Sequence, residues 1–401
     1  MDPFPWTRPA GPAPLGPAPL AADTTAPGLP LAESDPDRPP ASLQIRAWLA
    51  RRTESVAIPL GAVAAGFLIF SLFLVALGKS PLAFLDLVWR GGFGSPFALQ
   101  NSLQRAAPLL FAALCVALPA RLGLVVIGGE GAIVLGGVAA ASAAQPLQGL
   151  SPLLAVPLMA LAAVAAGAAW IGAVGALRAY RGVNETIASL LMSYIALALS
   201  NHLIEGWLRD PASLNKPSTA PIGEAFMVGA LPGLDVHWGL GIGVLACLAA
   251  YALTERTTIG FAARIAGGNL RAAQIQGLPV GCLVVSFTAL GGACAALAGF
   301  FEVAAVHGNA NASLNAGFGY TGILVAFLAR QNPLAILPVA FLLGGIEASS
   351  GLIQRRMQLP DATVLVLEGL LFLVVLVSET LYGRFKPFSP HLWAEKRGAA
   401  A

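Results

Sequence analysis

A carboxylate surrounded by glycines in an apolar segment is the feature of this sequence most suggestive of chemistry. Glu130 stands in GLVVIGGEGAIVLGG, Gly123 to Gly137, with Gly129 and Gly131 on either side. Glycine weakens a helix, and transport sites in membrane proteins are often built from broken helices near the bilayer midplane. Glu130 therefore indicates a substrate pathway. The alternative is that the glycines allow close helix packing and Glu130 hydrogen-bonds a neighbouring backbone.

A second interruption of an apolar run is Gly308 to Pro333, GNANASLNAGFGYTGILVAFLARQNP. Asn309, Asn311 and Asn315 could donate to a polar solute, but asparagine side chains also cap turns. A polar, uncharged solute would need a few such donors together with aromatic rings. The predicted substrate pathway comprises Glu130, Gly129, Gly131, Asn184, Tyr194, Asn309, Phe318 and Tyr320.

Six further carboxylates lie within or at the edges of apolar segments. Burying their charge in a membrane is costly, so those deep in a segment are expected to face the bundle interior or a wet cavity. They are Glu185, Glu205, Glu302, Glu347, Glu368 and Glu379.

Motifs for enzymatic or metal chemistry are missing from the sequence. Lys79 follows Gly78, but Phe73 stands where a Walker A loop needs its first glycine. There is no H-E-x-x-H, no G-x-S-x-G and no C-x-x-C, and the histidines are scattered. No catalytic residue, metal site or cofactor is predicted in this chain. Without a basic cluster interleaved with aromatics, no nucleic-acid binding is predicted either.

Composition indicates a helical membrane protein that crosses the bilayer many times. Of the 401 residues, 57% are hydrophobic and 11% are charged, with a mean hydropathy of +0.75, whereas a soluble domain has about 25% charged residues. The apolar runs are continuous and rich in Ala, Leu, Val and Gly, unlike the alternating strands of a barrel. The predicted fold is an all-α polytopic membrane protein.

Ten apolar segments are predicted to cross the membrane, and Pro81 to Gly94 is predicted to lie as a helix at the outer interface. The segment at Tyr320 is short. The crossings are Ala57 to Gly78, Leu99 to Pro119, Gly123 to Ala143, Pro152 to Leu177, Glu185 to Trp207, Trp238 to Thr254, Val280 to Ala305, Tyr320 to Leu328, Leu334 to Gly351 and Thr363 to Tyr382.

The distribution of basic residues predicts that both termini are cytoplasmic. Excluding Arg8 and Arg38, ten crossings with the N-terminus inside place 14 Lys and Arg inside and 7 outside, as the positive-inside rule expects. Residues 1–42, rich in Pro and Ala, are predicted to be a disordered tail, residues 43–386 the membrane domain and residues 387–401 a cytoplasmic tail. The longest external loop, Leu208 to His237, is a candidate docking surface or a passive cap.

The cytoplasmic loop Glu255 to Pro279 carries a short helix signal. Asn269 can cap the first turn, good helix formers follow from Leu270 to Gln276, and Gly277 suits the C-terminal stop. A helix this short is marginal alone in water and needs packing from its own chain or from a partner. The loop therefore predicts contact with a soluble partner.

Four stretches together resemble the permease subunits of ABC importers in the branched-chain amino acid and ribose permease group, most closely its nucleoside or simple-sugar branch. The resemblance covers roughly Leu99 to Tyr382. The stretches are GLVVIGGEGAIVLGG at Gly123, GVNETIASLLMSYIA at Gly182, GGNLRAAQIQGLPV at Gly267 and GFGYTGILVAFLARQNPL at Gly317.

This resemblance implies an inner-membrane permease working by ATP-driven alternating access. It implies a second permease subunit, identical or not, cytoplasmic ABC ATPase subunits that carry ATP and Mg, and an external binding protein or lipoprotein. It also implies that Gly267 to Val280 holds the coupling helix that docks on the ATPase, where Ala272 and Ala273 suit a close fit. The predicted coupling residues are Arg264, Asn269, Leu270, Arg271, Ala272, Ala273 and Gly277.

Two residues depart from the pattern that this family often shows. Val126 replaces an Asn and Ala132 replaces a Gln around the Gly-x-Glu-Gly stretch, which leaves the solute open among nucleosides, purine-like compounds and simple sugars. Arg264 and Arg271 would meet acidic or carbonyl groups of the ATPase, or instead membrane lipid headgroups. An ion-coupled secondary transporter is the alternative, because broken helices and Glu130 would serve it equally well.

Overall fold

The computed structural model describes residues 41–213, 216–360 and 362–379, with side chains from residue 58. Internal contacts divide the chain into two units, Met1–Ala50 and Arg51–Ala401. Of the first unit, the structure describes residues 41–50, which are helical. The predicted N-terminal tail up to residue 40, the end of the last crossing and the C-terminal tail at 387–401 lie outside the described residues.

The described residues form an all-α protein, as the sequence predicts, with isolated β-bridges but no sheet. Short 3₁₀ helices lie at Glu224–Phe226 and Ala312–Leu314, and α10 continues into a π-helix at Glu302–His307. The helices are α1 (Ala41–Ala76), α2 (Pro81–Gly92), α3 (Pro96–Ala120), α4 (Gly129–Ala144), α5 (Pro152–Arg181), α6 (Glu185–Glu205), α7 (Gly239–Arg256), α8 (Thr258–Gly268), α9 (Leu270–Ile275), α10 (Val280–Phe301), α11 (Phe318–Leu328), α12 (Pro333–Ala348), α13 (Ser350–Met357) and α14 (Ala362–Glu379).

Several helices begin where a polar cap precedes a proline. Ser80, Ser95 and Asn332 each accept a hydrogen bond from a backbone N–H of the first turn, and each is followed by proline at the first helical position. The cap satisfies an orphan donor, and proline has no N–H to lose there. These pairs fix the starts of α2, α3 and α12.

Eight described helical segments are long and apolar enough to cross a membrane, so the chain is a multi-pass membrane protein. Two of them extend beyond a single helix: Val280–His307 contains α10, and Pro333–Met357 contains α12 and α13. The other two predicted crossings contain shorter apolar helices. The segment predicted at Gly123 becomes helical only at Gly129, and its 16 residues reach about 24 Å, less than the ~30 Å hydrocarbon core. The helix α11 has 11 residues and reaches about 17 Å.

Irregular backbone completes both short crossings. We call residues 121–144 the first broken crossing, since residues 121–128 precede α4 without helical structure. We call residues 308–328 the second broken crossing, because α11 follows an irregular stretch at 308–317.

Contacts at the two ends of the bundle show how the second broken crossing runs. In the first half of α3, Gln104 Nε2 donates to the carbonyl oxygen of Asp235 at 2.8 Å. The loop 208–237 therefore lies towards the N-terminal end of α3, which we call the loop end. Ile222 N–H in that loop donates to Gly308 O at 2.9 Å. At the other end of α3, the basic end, Arg121 Nη2 donates to Gln331 O at 3.4 Å. The chain therefore passes from one end to the other between Gly308 and Gln331, as ten crossings require.

Close helix contacts at the centre depend on small residues of α10, which packs mainly against α5, α3 and α4. A Cβ on Gly292 would collide with Gly167 O of α5, and a Cβ on Gly299 would collide with Ile133 O of α4. Small residues let helix backbones approach in membranes, where packing must replace the hydrophobic effect. The glycines of α10 thus set the distance to its neighbours.

Replacing Gly299 with leucine is expected to destabilise the bundle, because the side chain would have to displace the α4 backbone. Overpacking of this kind typically costs about 1–3 kcal/mol. The matched control is Gly369→Leu in α14, where an added Cβ meets no atom within 4 Å. Thermal unfolding in detergent should show a lower Tm for Gly299→Leu only. Equal Tm values for both variants would contradict the packing assignment.

Candidate functional site

Hydroxyl side chains of α6 satisfy the irregular part of the first broken crossing. Ser189 Oγ accepts from Ile127 N–H at 3.0 Å and Ser193 Oγ accepts from Gly131 N–H at 2.9 Å. Thr186 Oγ1 donates to Val125 O at 2.9 Å. An unwound backbone inside a membrane needs such partners, since lipid offers none. The helix α6 therefore holds α4 in place.

Asn184 starts α6 and so positions those hydroxyl groups. Its Oδ1 accepts from the N–H groups of Thr186 and Ile187 at 3.0 and 3.1 Å. Asn184 is therefore the N-cap of α6. The side-chain oxygen that the sequence predicts for the substrate pathway is used in this cap.

Glu130 lies where the two broken crossings meet. Its carboxylate accepts from Gly317 N–H at 2.8 Å and from Gly319 N–H at 2.6 Å, and the residue is fully buried. Both donors belong to the start of α11, whose helix dipole favours a negative charge there. Gly317 has φ +87°, a conformation natural to glycine. Of the two sequence interpretations of Glu130, this geometry favours the hydrogen bond to a neighbouring backbone.

A small cleft opens beside this junction towards the loop end. It has a cavity volume of about 70 Å³ and lies between α4, α6 and the stretch that precedes α11 in the second broken crossing. None of its lining side chains is charged, and three are amides. The lining residues are Val134, Leu197, Asn201, Ile204, Asn311, Ala312 and Asn315.

Two predicted tyrosines lie close along the chain to residues of this site without lining the cleft. Tyr320, at the start of α11, follows Gly319, whose N–H binds Glu130, and Tyr194 stands one turn before Leu197 on α6. Tyr194 and Tyr320 are 58% and 41% exposed, so neither ring is buried in the core of the chain. Tyr194, Leu197 and Asn201 share one face of α6 at positions i, i+3 and i+7. That spacing was the sequence signal by which Asn201, absent from the predicted pathway, could have been found.

Other predicted pathway residues do not line the cleft. Asn309 Oδ1 accepts from Asn311 Nδ2 at 2.6 Å, and Asn311 Oδ1 accepts from Ser313 N–H at 2.8 Å, so both belong to a capped turn. Phe318 is buried. A Cβ on Gly129 would make ordinary contacts with Cys115 and Gly319, whereas one on Gly131 would collide with Ser193 and Ala196 of α6.

The predicted short helix is confirmed at the basic end. Asn269 Oδ1 accepts from Ala272 N–H at 3.0 Å, α9 runs Leu270–Ile275, and Gly277 has φ +79°. The side chain of Ala273 is fully buried within its own chain and so offers no surface to a partner. Arg271 and Gln274 are exposed, and Ile275 is 82% exposed.

Arg264 is anchored within the chain. Its Nη2 donates to Thr254 O at 3.2 Å and pairs with Glu255 Oε2 at 2.6 Å. Glu255 Oε1 also pairs with Arg121 Nη1 at 2.9 Å. Sequence reasoning named Arg121 only as a cytoplasmic charge, because nothing in the order of residues shows that α3 and α7 end side by side.

The cleft presents three amide side chains and no charged one, and Glu130 fixes the start of α11 beside it. Among the described residues, no group of three or more His, Cys, Asp or Glu could hold a metal ion.

Replacing Glu130 with glutamine is expected to lower stability, because an amide keeps only one acceptor oxygen for two N–H donors. Hydrogen bonds to charged groups contribute about 1.5–3 kcal/mol, so a clear fall in the Tm in detergent is expected. Glu205→Gln, at the exposed end of α6, is the control. An unchanged Tm for Glu130→Gln would contradict the structural role.

Comparison with known proteins places these features in a wider group. Residues 98–376 match the family model described as branched-chain amino acid transport system / permease component. A glucose ABC transporter permease of Haloferax volcanii is 32% identical over 369 residues, covering 88% of this chain and 93% of that protein. A guanosine ABC transporter permease of Bacillus subtilis is 28% identical, covering 82% and 94%. A nucleoside ABC transporter permease of Lactococcus lactis is 23% identical, covering 87% and 99%.

Proposed function

Since this chain belongs to the family of branched-chain amino acid transport system permease components, we propose the solute it carries and the surface by which it meets its ATPase. It is a permease subunit of an ABC importer for small polar solutes, and a transport component rather than an enzyme. Membership of this family indicates ATP hydrolysis as the energy source, rather than the ion gradient of a secondary transporter. ATPase and other ABC subunits are its partners.

The proposed solute is a nucleoside, a purine-like compound or a simple sugar. The cleft beside Glu130 supports this class, because its three amides suit hydroxyl groups and no lining residue is charged. Tyr194, on the same face of α6 and 58% exposed, suits a flat ring. The names of the relatives point the same way, since they specify glucose, guanosine and nucleosides. The observation that carries the proposal is the face of α6 bearing Tyr194 and Asn201.

Replacing Asn201 with alanine is expected to raise the KM for uptake. The loss of one hydrogen bond, about 1 kcal/mol, corresponds to a change of about fivefold. Uptake of labelled guanosine and glucose should be measured in proteoliposomes that contain the complete transporter. His202→Ala is the matched control, because His202 is the next residue of α6, is exposed and does not line the cleft. Equal KM values for the two variants would count against this cleft as the pathway.

We further propose that the basic end is cytoplasmic and that α8 and α9 dock on the ATPase subunits. The excess of Lys and Arg predicted on this side supports the orientation. Exposed apolar side chains support the docking: Ile259, Phe261 and Ile275 are 52%, 63% and 82% exposed on two short helices of this end. The loop 208–237 would then face the external binding protein. A second permease subunit completes the proposed assembly, with ATP and Mg on the ATPase.

Ile275→Glu is expected to reduce copurification of the ATPase subunit, because it places a charge where an apolar side chain would be desolvated. Ile275→Val keeps an apolar side chain of similar shape and is the matched control. A pull-down of the ATPase with each tagged permease variant gives the measurement. Full retention by Ile275→Glu would exclude α9 from the docking surface.

A further inference from the structure

Arg121 stands where three parts of the molecule meet at the basic end. It follows α3 and begins the first broken crossing. Its guanidinium pairs with Glu255 Oε1 at 2.9 Å, at the end of α7, and reaches Gln331 O at 3.4 Å, just beyond α11. The side chain is 21% exposed. One side chain of the first broken crossing thus contacts the turn that follows the second broken crossing and the end of α7 from which the α8–α9 segment starts.

We propose that Arg121 is the positioning residue that transmits movement of the α8–α9 segment to both broken crossings. This inference rests on the proposed docking of α8 and α9 on the ATPase. We call the group of Arg121, Glu255 and Gln331 the Arg121 joint. None of its members was among the predicted coupling residues.

Direct backbone contact reinforces the joint from the side of α8. A Cβ on Gly267 would collide with Arg121 O and lie 3.2 Å from the carbonyl carbon of Leu122. In return, a Cβ on Gly123 would lie 3.4 Å from Gly267 O. Two chain segments in such contact cannot slide independently, because close-packed interiors transmit displacement. Movement of α8 therefore displaces the start of the first broken crossing.

Glu255 adds an ionic connection between the same parts. One carboxylate oxygen pairs with Arg121 and the other with Arg264 of α8, at 2.9 and 2.6 Å. Guanidinium groups hold carboxylates in a defined geometry because their donors form a rigid planar fork. A shift of α8 consequently moves the Glu255 carboxylate with which Arg121 is paired.

The turn after α11 is held in an unfavourable conformation at the joint. Arg330 and Gln331 have φ +51° and +57°, in the left-handed region that residues with a Cβ rarely adopt. Such conformations persist where the surroundings fix them, and they cluster at switching sites. Arg121 donates to Gln331 O within this turn. Backbone hydrogen bonds from Arg330 N–H to Phe327 O and from Gln331 N–H to Ala326 O, at 2.8 and 2.7 Å, close the same turn. The contact with Arg121 therefore ties a turn of defined shape to the first broken crossing.

The joint and Glu130 together tie the second broken crossing to the first at two places. Glu130 binds the start of α11, and Arg121 binds the chain just after its end. Both belong to the first broken crossing, with residues 122–129 between them. The two crossings are therefore expected to move as one body, carrying Tyr320 relative to Tyr194 of α6.

The test is the number of solute molecules transported per ATP hydrolysed by the complete transporter in proteoliposomes, with guanosine and glucose as the solutes. Arg121→Met and Glu255→Gln should each retain the ATPase subunit but lower this ratio at least about fivefold. The double variant should be no worse than the more impaired single one, because the two act through one contact. Arg121→Lys should be intermediate, since an ammonium can meet the carboxylate but cannot form the fork to both partners.

Arg178→Met is the matched control, because Arg178 forms another ion pair, to Glu185 at 3.2 Å, but is not part of the joint. A second readout needs no solute: the ATP-dependent change in thiol labelling of Tyr320→Cys, with the four native cysteines replaced, should vanish in Arg121→Met. If the Arg121→Met permease does not assemble with the ATPase subunit, the Arg121→Lys and Glu255→Gln variants provide the test. The inference is overturned if Arg121→Lys and Glu255→Gln show the same transport ratio and the same labelling change as Arg178→Met. Failure of the unaltered chain to bind an ATPase would overturn the proposed function instead.

Discussion

The carboxylate of Glu130, bound to two backbone N–H groups of another segment, is the interaction on which the structure depends. A chain that interrupts its helices inside a membrane must find partners for the freed backbone groups, because lipid has none to give. Here α6 supplies hydroxyl groups to the first broken crossing, and the first broken crossing supplies a carboxylate to the second. The irregular backbone beside the cleft is possible because these partners exist.

Small residues make that arrangement sterically possible. A Cβ on Gly319 would collide with the backbone nitrogen of Glu130, so the carboxylate reaches its donors only because the two chains approach without side chains between them. Two backbones approach in the same way, with no side chain between them, where Gly299 of α10 meets α4. The hydrogen bonds of Glu130 therefore depend on the close packing of the two chain segments. Loss of either would separate the two broken crossings.

The sequence predicted those features that depend on neighbouring residues. Apolar runs predicted most of the described crossings within a few residues, although α4 starts six residues after Gly123. Asn269 and Gly277 predicted the bounds of α9, because capping and helix termination are local. Contacts between distant segments were not predictable. Glu130 was identified, but its donors lie 187 and 189 residues away. Ala273 was expected to suit a partner, yet tertiary packing buries it. Arg121, Glu255 and Gln331 meet only because three helices end together.

The distance along the chain between Glu130 and Gly317 has a consequence for biogenesis. At about 5–20 residues per second, the ribosome needs on the order of 10–40 s to make the intervening chain. During that interval the carboxylate of Glu130 lacks the two N–H donors that it binds in the folded protein. The contact between the two broken crossings can therefore form only after the second half of the chain has been made.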